Sequence, residues 1–336
     1  MCEKEMSKNY YFVTCHSAND FCVCKDREDY IHLNNKMGIS AFKKDTLLYG
    51  GSLMSNHYHI IIRSQDVVSF IKSVNGSYSK YFNKKYGFRG HLWLKRSGID
   101  EIPYYNNSLL KDKLLYSIGN SSRHNVCYST VMYPWNTSRV YFNEPKVENN
   151  EIFSLSQRKK VKLLNAIDQK KFLPRRLVLP ESYRMSEDGL LLPESFIDKS
   201  LVRRLFNSQS SFYYNLKFPS TTEVRNRSLK ADKLKHKLST STNPKKREHL
   251  QKQIENELHP QLVKQTDEMV CAELFAICEE YQIPLMKPLN SDTRRPIKIS
   301  EFKIVMREIR NRMKHITQKQ CSRCMSVKLE LIKKYW

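Results

Sequence analysis

The stretch Leu53-Met54-Ser55-Asn56-His57-Tyr58-His59-Ile60-Ile61-Ile62-Arg63 decides how this chain is read. Its later half has the β-branched and aromatic content of a strand. Side chains alternate faces along a strand, so His57 and His59 point one way while Tyr58, Ile60 and Ile62 point the other. Two imidazoles a few ångströms apart on one face either hold one divalent cation or stand as ordinary, satisfied polar groups. The spacing alone leaves both open.

The flanking sequence reads as alternating strands and helices. Tyr10 to Cys15 is a strand, Asp26 to Lys36 a helix, and Thr46 to Gly50 a second strand. Gly50-Gly51 is a turn signal, so the chain is expected to reverse between Gly51 and His57 and pair its two flanking strands antiparallel. Gln65 to Tyr86 is a long helix with Phe70, Val74, Tyr78, Tyr81 and Phe82 at three- and four-residue steps. Those rings are either core or base-stacking platforms. A fourth strand falls within Gly90 to Tyr105, and a helix spans Asn107 to Asn120. The order βαββαβ predicts an α+β fold, a ferredoxin-like split βαβ sheet, over residues 1–145.

Beyond Phe142 the character changes. Residues 146–225 hold Pro174, Pro180, Pro193 and Pro219 and a turn at Asp188-Gly189, which predicts an irregular connecting region. Residues 226–336 read as a basic helical region. Asn226 to Glu257 is charged and helix-prone, broken at Ser239 to Pro244, as a hairpin or hinge would be. Met269 to Tyr281, Ser300 to Met313 and Thr317 to Tyr335 are apolar-periodic. The last splits into a short capped helix, a turn and a second helix from Lys328 to Lys334: a helix-turn-helix or part of a plain bundle.

Composition excludes several classes. Of 336 residues 40% are hydrophobic, enough to bury cores, yet the chain has no apolar run of about 18 residues such as a membrane span needs. Met1 to Lys8 lacks the apolar centre of a signal peptide, which points to the cytoplasm. In that reducing compartment the nine cysteines read as small core residues. Cys321 and Cys324 have half a zinc-knuckle spacing with no matching pair, and Cys22 and Cys24 stand too close in sequence. Lys and Arg total 58 against 34 acidic residues, a net charge of +24. Such an excess draws polyanions, with nucleic acid the foremost.

The helix from Asn107 offers a nucleophile. Leu110, Leu114, Leu115 and Ile118 form its apolar stripe, with Tyr116 nearly opposite and Asn120 at i+4, roughly 40° further round. Tyr116 is a surface residue, a base-stacking group or a nucleophile. Asn120 caps the helix or offers a neutral oxygen to a metal.

These residues carry a resemblance. Met54-Ser55-Asn56-His57-Tyr58-His59 resembles the M-P-N-H-x-H signature of the REP-associated tyrosine transposases, single-tyrosine HUH nucleases (His, hydrophobic, His). Tyr78 to Gly87 resembles that family's Y-x-x-Y-F-N helix, and Gly90-His91-Leu92-Trp93 its G-x-L-W. Tyr116 to Asn120 resembles Y-I-x-x-N, and Tyr133 to Tyr141 resembles Y-P-W-S-S-x-R-x-Y. The motifs occur in order over residues 9–142. Ser55 replaces the usual proline, and Ser121-Ser122 replaces P-V.

The resemblance implies a transposase: a metal-dependent endonuclease and strand transferase acting on single-stranded or hairpin DNA. Tyr116 would be the nucleophile, His57 and His59 the ligands of Mg²⁺ or Mn²⁺, and Asn120 a third ligand. It further implies a cytoplasmic, nucleoid-associated bacterial protein, with a second copy of the chain as a further partner. Arg63, Lys80, Lys84, Lys85, Arg96, Arg323, Lys328, Lys333 and Lys334 are the basic residues expected at DNA. Two other readings are a domesticated DNA-binding protein that does not cut and a metal-dependent phosphohydrolase that uses water. Retention of both histidines with Tyr116 disfavours the first, and the second leaves Tyr116 without a role.

Overall fold

In the computed structural model, which describes residues 9–127, 129–142, 159–160, 173, 177–217, 221–258, 265–284 and 297–336, the histidine stretch is an inner strand of a four-stranded antiparallel sheet. The strands are β1 (Tyr10–His16), β2 (Leu47–Leu53), β3 (His57–Arg63) and β4 (Gly98–Ile102), in the order β2-β3-β1-β4. Helix α1 (Arg27–Lys43) joins β1 to β2, and α2 (Val67–Tyr86) joins β3 to β4. Helix α3 (Asn107–Ile118) follows β4. The fold is α+β, with the βαββαβ order that the sequence predicts.

The alternation of β3 divides the sheet into two faces. On one, Tyr58 donates to Asn75 Oδ1 of α2 and its ring meets Trp93. On the other lie His57 and His59, covered by α3. The aromatic rows of α2 are structural. Phe70, Val74, Tyr78 and Phe82 are buried, Tyr78 donates to Val23 O, and Tyr81 and Tyr86 donate to the buried Asp29 at the start of α1. Asp26 caps α1 by accepting from Asp29 N. The helix runs well past the expected Lys36. Gly38 does not stop it, because it is a site of close approach: a Cβ there would stand 2.7 Å from the Phe196 ring.

The chain reverses at residues 54–56, within the expected Gly51–His57 stretch, and β2 pairs antiparallel with β3, but Gly50 and Gly51 are not the turn: both lie inside β2, opposite Ile61 and Ile60. Close packing is the reason. A Cβ on Gly50 would lie 2.1 Å from Tyr141 Oη, and one on Gly51 would lie 2.0 Å from the backbone oxygen of His59. Gly51→Ala must therefore push β3 away at a site residue. It is expected to cost about 2–3 kcal/mol of stability, the upper range for overpacking, in urea unfolding. A loss below about 0.5 kcal/mol would show that the two strands separate freely there.

Part of the expected irregular connection is helical. Helices α5 (Ser200–Phe206) and α6 (Gln209–Lys217), which follow the single turn α4 (Asn120–Arg123), put Leu201, Val202, Leu205, Phe206, Phe212 and Leu216 into the core of the sheet. They are too short for periodicity to reveal. Pro174 and Pro219 lie outside the described residues, as do Met1 to Lys8. The charged segment forms a hairpin of α7 (Thr221–Thr240) and α8 (Pro244–Leu258). Four further helices, α9 (Asp267–Glu280), α10 (Ile299–Arg312), α11 (Gln318–Met325) and α12 (Leu329–Tyr335), share a second core. Thr317 caps α11 by accepting from Gln320 N. Ser326, at φ 56°, makes the left-handed turn before α12 that a glycine usually makes. No helix among the described residues is long and apolar enough to cross a membrane.

Candidate active site

Strands β1 and β3 pair so that Thr14 lies opposite His59 and His16 opposite His57. Phe12, Thr14, His16, His57 and His59 thus share one face. The His57 and His59 ring centroids are 5.0 Å apart. Helix α3 crosses this face on its buried Leu110, Leu114, Leu115 and Ile118, which brings Tyr116 edge-on to His59 at 5.4 Å and to Phe12 at 5.8 Å. Tyr116 keeps 39% of its surface exposed. The Arg123 guanidinium lies 5.1 Å from the centre of its ring.

Asn120 does not simply continue α3. The helix ends at Ile118, and Asn120 opens the single turn α4 after Gly119. That break turns its side chain onto His57, where Nδ2 stands 2.7 Å from Nε2. Asn120 is fully buried, and its Oδ1 has no hydrogen-bond partner. His57 Nδ1 lies 2.7 Å from Asn56 Oδ1, an oxygen that only accepts. The proton therefore sits on Nδ1 and the Nε2 lone pair faces Asn120. His59 Nδ1 lies 2.9 Å from Thr14 Oγ1. Each ring is held through its Nδ1 by an outer partner, the arrangement that orients a metal-ligating imidazole.

Burial first, and then the neighbouring histidines, lower the pKa of His57 to about 2 and that of His59 to about 3. Both rings stay neutral near pH 7, as lone-pair donors must. Two neutral imidazoles beside an orphaned amide oxygen are a donor set that fits Mn²⁺ well and Mg²⁺ through its oxygen. The same shifts predict acid sensitivity. Between pH 6.5 and about 3 these two rings bind two protons in the unfolded chain that they do not bind in the folded one, so they make stability fall as pH falls. Below about pH 5.5 their contribution to the slope should approach 3 kcal/mol per pH unit. It is read in urea unfolding with chelator present as the difference between the unmodified protein and His57→Gln/His59→Gln, since His32, lowered by burial to about 4, titrates in both. A difference that stays flat between pH 6.5 and 5 would contradict it.

Three neighbours were not legible in the sequence. His16 stacks on His57 at 4.9 Å, and His124 lies 5.6 Å from it. Arg123, beside Tyr116, is the third. The β1–β3 register would have revealed His16, and the i+4 step from Asn120 would have revealed His124. His57 also borders a cleft of 360 Å³, walled with it by His16, Asn56, His124, Asp267 and Arg323. The helical region therefore forms one wall of the cleft.

The basic residues fall into separate groups. Lys85 is bound to Asp26, Glu28 and Asp29. Arg323 clamps Asp267 with two nitrogens at 2.8 Å and also reaches Asp20. Carboxylates neutralise both side chains in this structure. Lys80 and Lys84 are exposed on α2, across the sheet from the histidines. Arg63 ends β3 on the histidine face, four residues or about 13 Å from His59. Arg96 is exposed two residues beyond Leu94, whose N donates to His16 O. Lys328, Lys333 and Lys334 are exposed around α12.

No protein-family model matches the chain, and no curated protein matches it. Among solved structures, it is similar to one described as a REP-associated tyrosine transposase bound to a REP hairpin. The two share 15% identity over 41% of this chain and 82% of that one, with a TM-score of 0.35.

Proposed function

We propose that this protein is a metal-dependent endonuclease and strand transferase for single-stranded or hairpin DNA, working through a 5′-phosphotyrosine. The observation that carries the reading is the convergence of the exposed Tyr116 on His59, beside His57 and the orphaned Asn120 Oδ1. A tyrosine hydroxyl, with a pKa near 10, is a weak nucleophile at neutral pH and needs an electrophilic phosphorus. With the Asn120 amide turned so that its hydrogen bond releases His57 Nε2, that nitrogen, His59 and Asn120 Oδ1 would hold the cation. When bound, it supplies a Lewis acid for the non-bridging phosphate oxygens. Tyr116 Oη then forms its bond to phosphorus as it loses its proton, and the phosphorus–O3′ bond breaks. The departing oxygen takes up a proton as a free 3′-hydroxyl. Phosphoryl bonding is conserved, so another 3′-hydroxyl can reverse the step and join. Arg123 adds positive charge beside the attacking ring.

Substrate contact falls to Arg63, Arg96, Lys328, Lys333 and Lys334, with Lys80 and Lys84 on the far side for a longer or folded DNA. Removing any one of Lys328, Lys333 or Lys334 should reduce the slope of log affinity against log salt by about one unit or less. An unchanged slope in the triple alanine variant would leave α12 as a brace. The functional test uses the full chain and 3′-end-labelled single strands from the DNA flanking its own coding region. Cleavage with label retained on the protein supports a tyrosine transferase. Cleavage with no adduct favours the hydrolase, and tight binding without cleavage favours the non-cutting binder.

A further inference from the structure

Outside the active site, three cysteines from distant parts of the chain meet. Cys22 lies in the loop between β1 and α1, Cys271 in α9 and Cys324 in α11. All three are buried, and their sulfurs lie within 4.8 Å of one another. The sequence reads them as core residues, since Cys22 pairs badly with Cys24 and Cys324 with Cys321. Only the fold gathers one from each.

We propose that Cys22, Cys271 and Cys324 form a zinc site that locks the helical region onto the loop beside the histidine turn. The geometry is that of a small tetrahedron. Zinc–sulfur bonds of about 2.3 Å at tetrahedral angles put sulfurs about 3.8 Å apart. Cys22 Sγ and Cys324 Sγ are 3.8 Å apart. An oxygen ligand at about 2.0 Å would lie about 3.5 Å from each sulfur. Asp267 Oδ2, 3.4 Å from Cys22 Sγ, already accepts from Ser55 Oγ and Arg323 Nε, so the fourth position falls to a water. A disulfide between Cys22 and Cys324 would use only two of the three sulfurs.

The surroundings suit a site with excess negative charge. Lys25 is buried, and its ammonium donates to Cys324 O at 2.7 Å. Arg323, adjacent in sequence, holds Asp267. Binding releases the thiol protons to solvent, and nothing is oxidised.

The position gives the site a consequence. The loop carrying Cys22 lies against the turn that leads into His57: Val23 N and Cys24 N donate to Ser55 O, and Ser17 N to Asn56 O. Ser55, where the resembling family has proline, donates to Asp267 Oδ2 at 2.6 Å. A zinc ion here would pin both walls of the cleft. The zinc inference stands independently of the nuclease reading, because its test reads metal and sulfur, not DNA.

The test takes the full chain, expressed with zinc in the medium and purified under reducing conditions. Metal analysis should find about one zinc per chain. Cys22→Ser, Cys271→Ser and Cys324→Ser should each lower it at least tenfold, whereas Cys24→Ser and His57→Ala/His59→Ala should retain it. Should the serine variants misfold, cobalt exchanged into the unmodified protein should give thiolate-to-cobalt charge-transfer absorption. Absence of both zinc and that absorption, with all thiols free, would overturn the proposal. So would a mass two units low with a peptide linking Cys22 to Cys324.

Discussion

Tyr116→Phe is expected to lower strand cleavage by about 10⁴-fold or more, as loss of a covalent nucleophile does, and to remove any protein–DNA adduct. DNA affinity should change less than about twofold, because only one hydroxyl is lost and the ring's contacts with His59 and Phe12 remain. The buried stripe of α3 holds the helix whether or not the hydroxyl is present, so folding should be unaffected. Binding measured by fluorescence anisotropy beside cleavage on a denaturing gel separates the two effects. Undiminished cleavage would move the nucleophile elsewhere, with the exposed Tyr105 next to test. Tyr128, the other tyrosine to test, lies outside the described residues.

The second large effect concerns the cation. His57→Ala and His59→Ala should each cut cleavage by about 10³-fold, the scale of losing one preorganised stabiliser of transition-state charge. Chelator should do the same to the unmodified protein, and added Mn²⁺ or Mg²⁺ should restore it. Loss of an outer partner should be milder. Thr14→Val removes the hydroxyl at His59 Nδ1 but leaves the ligand, so a loss of about 10–100-fold is expected. A merely structural role for the histidines would be exposed by full activity in excess chelator, or by losses that tracked only the unfolded fraction.

Much of this arrangement was legible in the sequence, for identifiable reasons. The period-two alternation of β3 placed His57 and His59 on one face, and the stripe of α3 fixed where Tyr116 emerges. Both are local patterns, and local geometry decides them. What escaped depended on contacts between distant segments. His16 joins the cluster only because β1 pairs with β3 in one register. The glycines of β2 resemble a turn until Tyr141 and His59 O are seen pressing on them. Lys85 and Arg323 look like free cations until Asp29 and Asp267 fold against them. The last pair also changes the view of the helical region. It walls the cleft and tethers the histidine turn through Ser55, so deleting residues 226–336 would strip buried contacts from the site as well as basic residues.

The central claim is that Tyr116 forms a covalent bond to the 5′ end of cleaved DNA. The direct measurement incubates the full chain with a single-stranded substrate and Mn²⁺, digests the product with nuclease and protease, and locates the modified peptide by mass spectrometry. The account predicts a nucleotide phosphate on Tyr116, absent without metal and absent in Tyr116→Phe. Metal-dependent cleavage with Tyr116 unmodified, or with the phosphate on another residue, would contradict it.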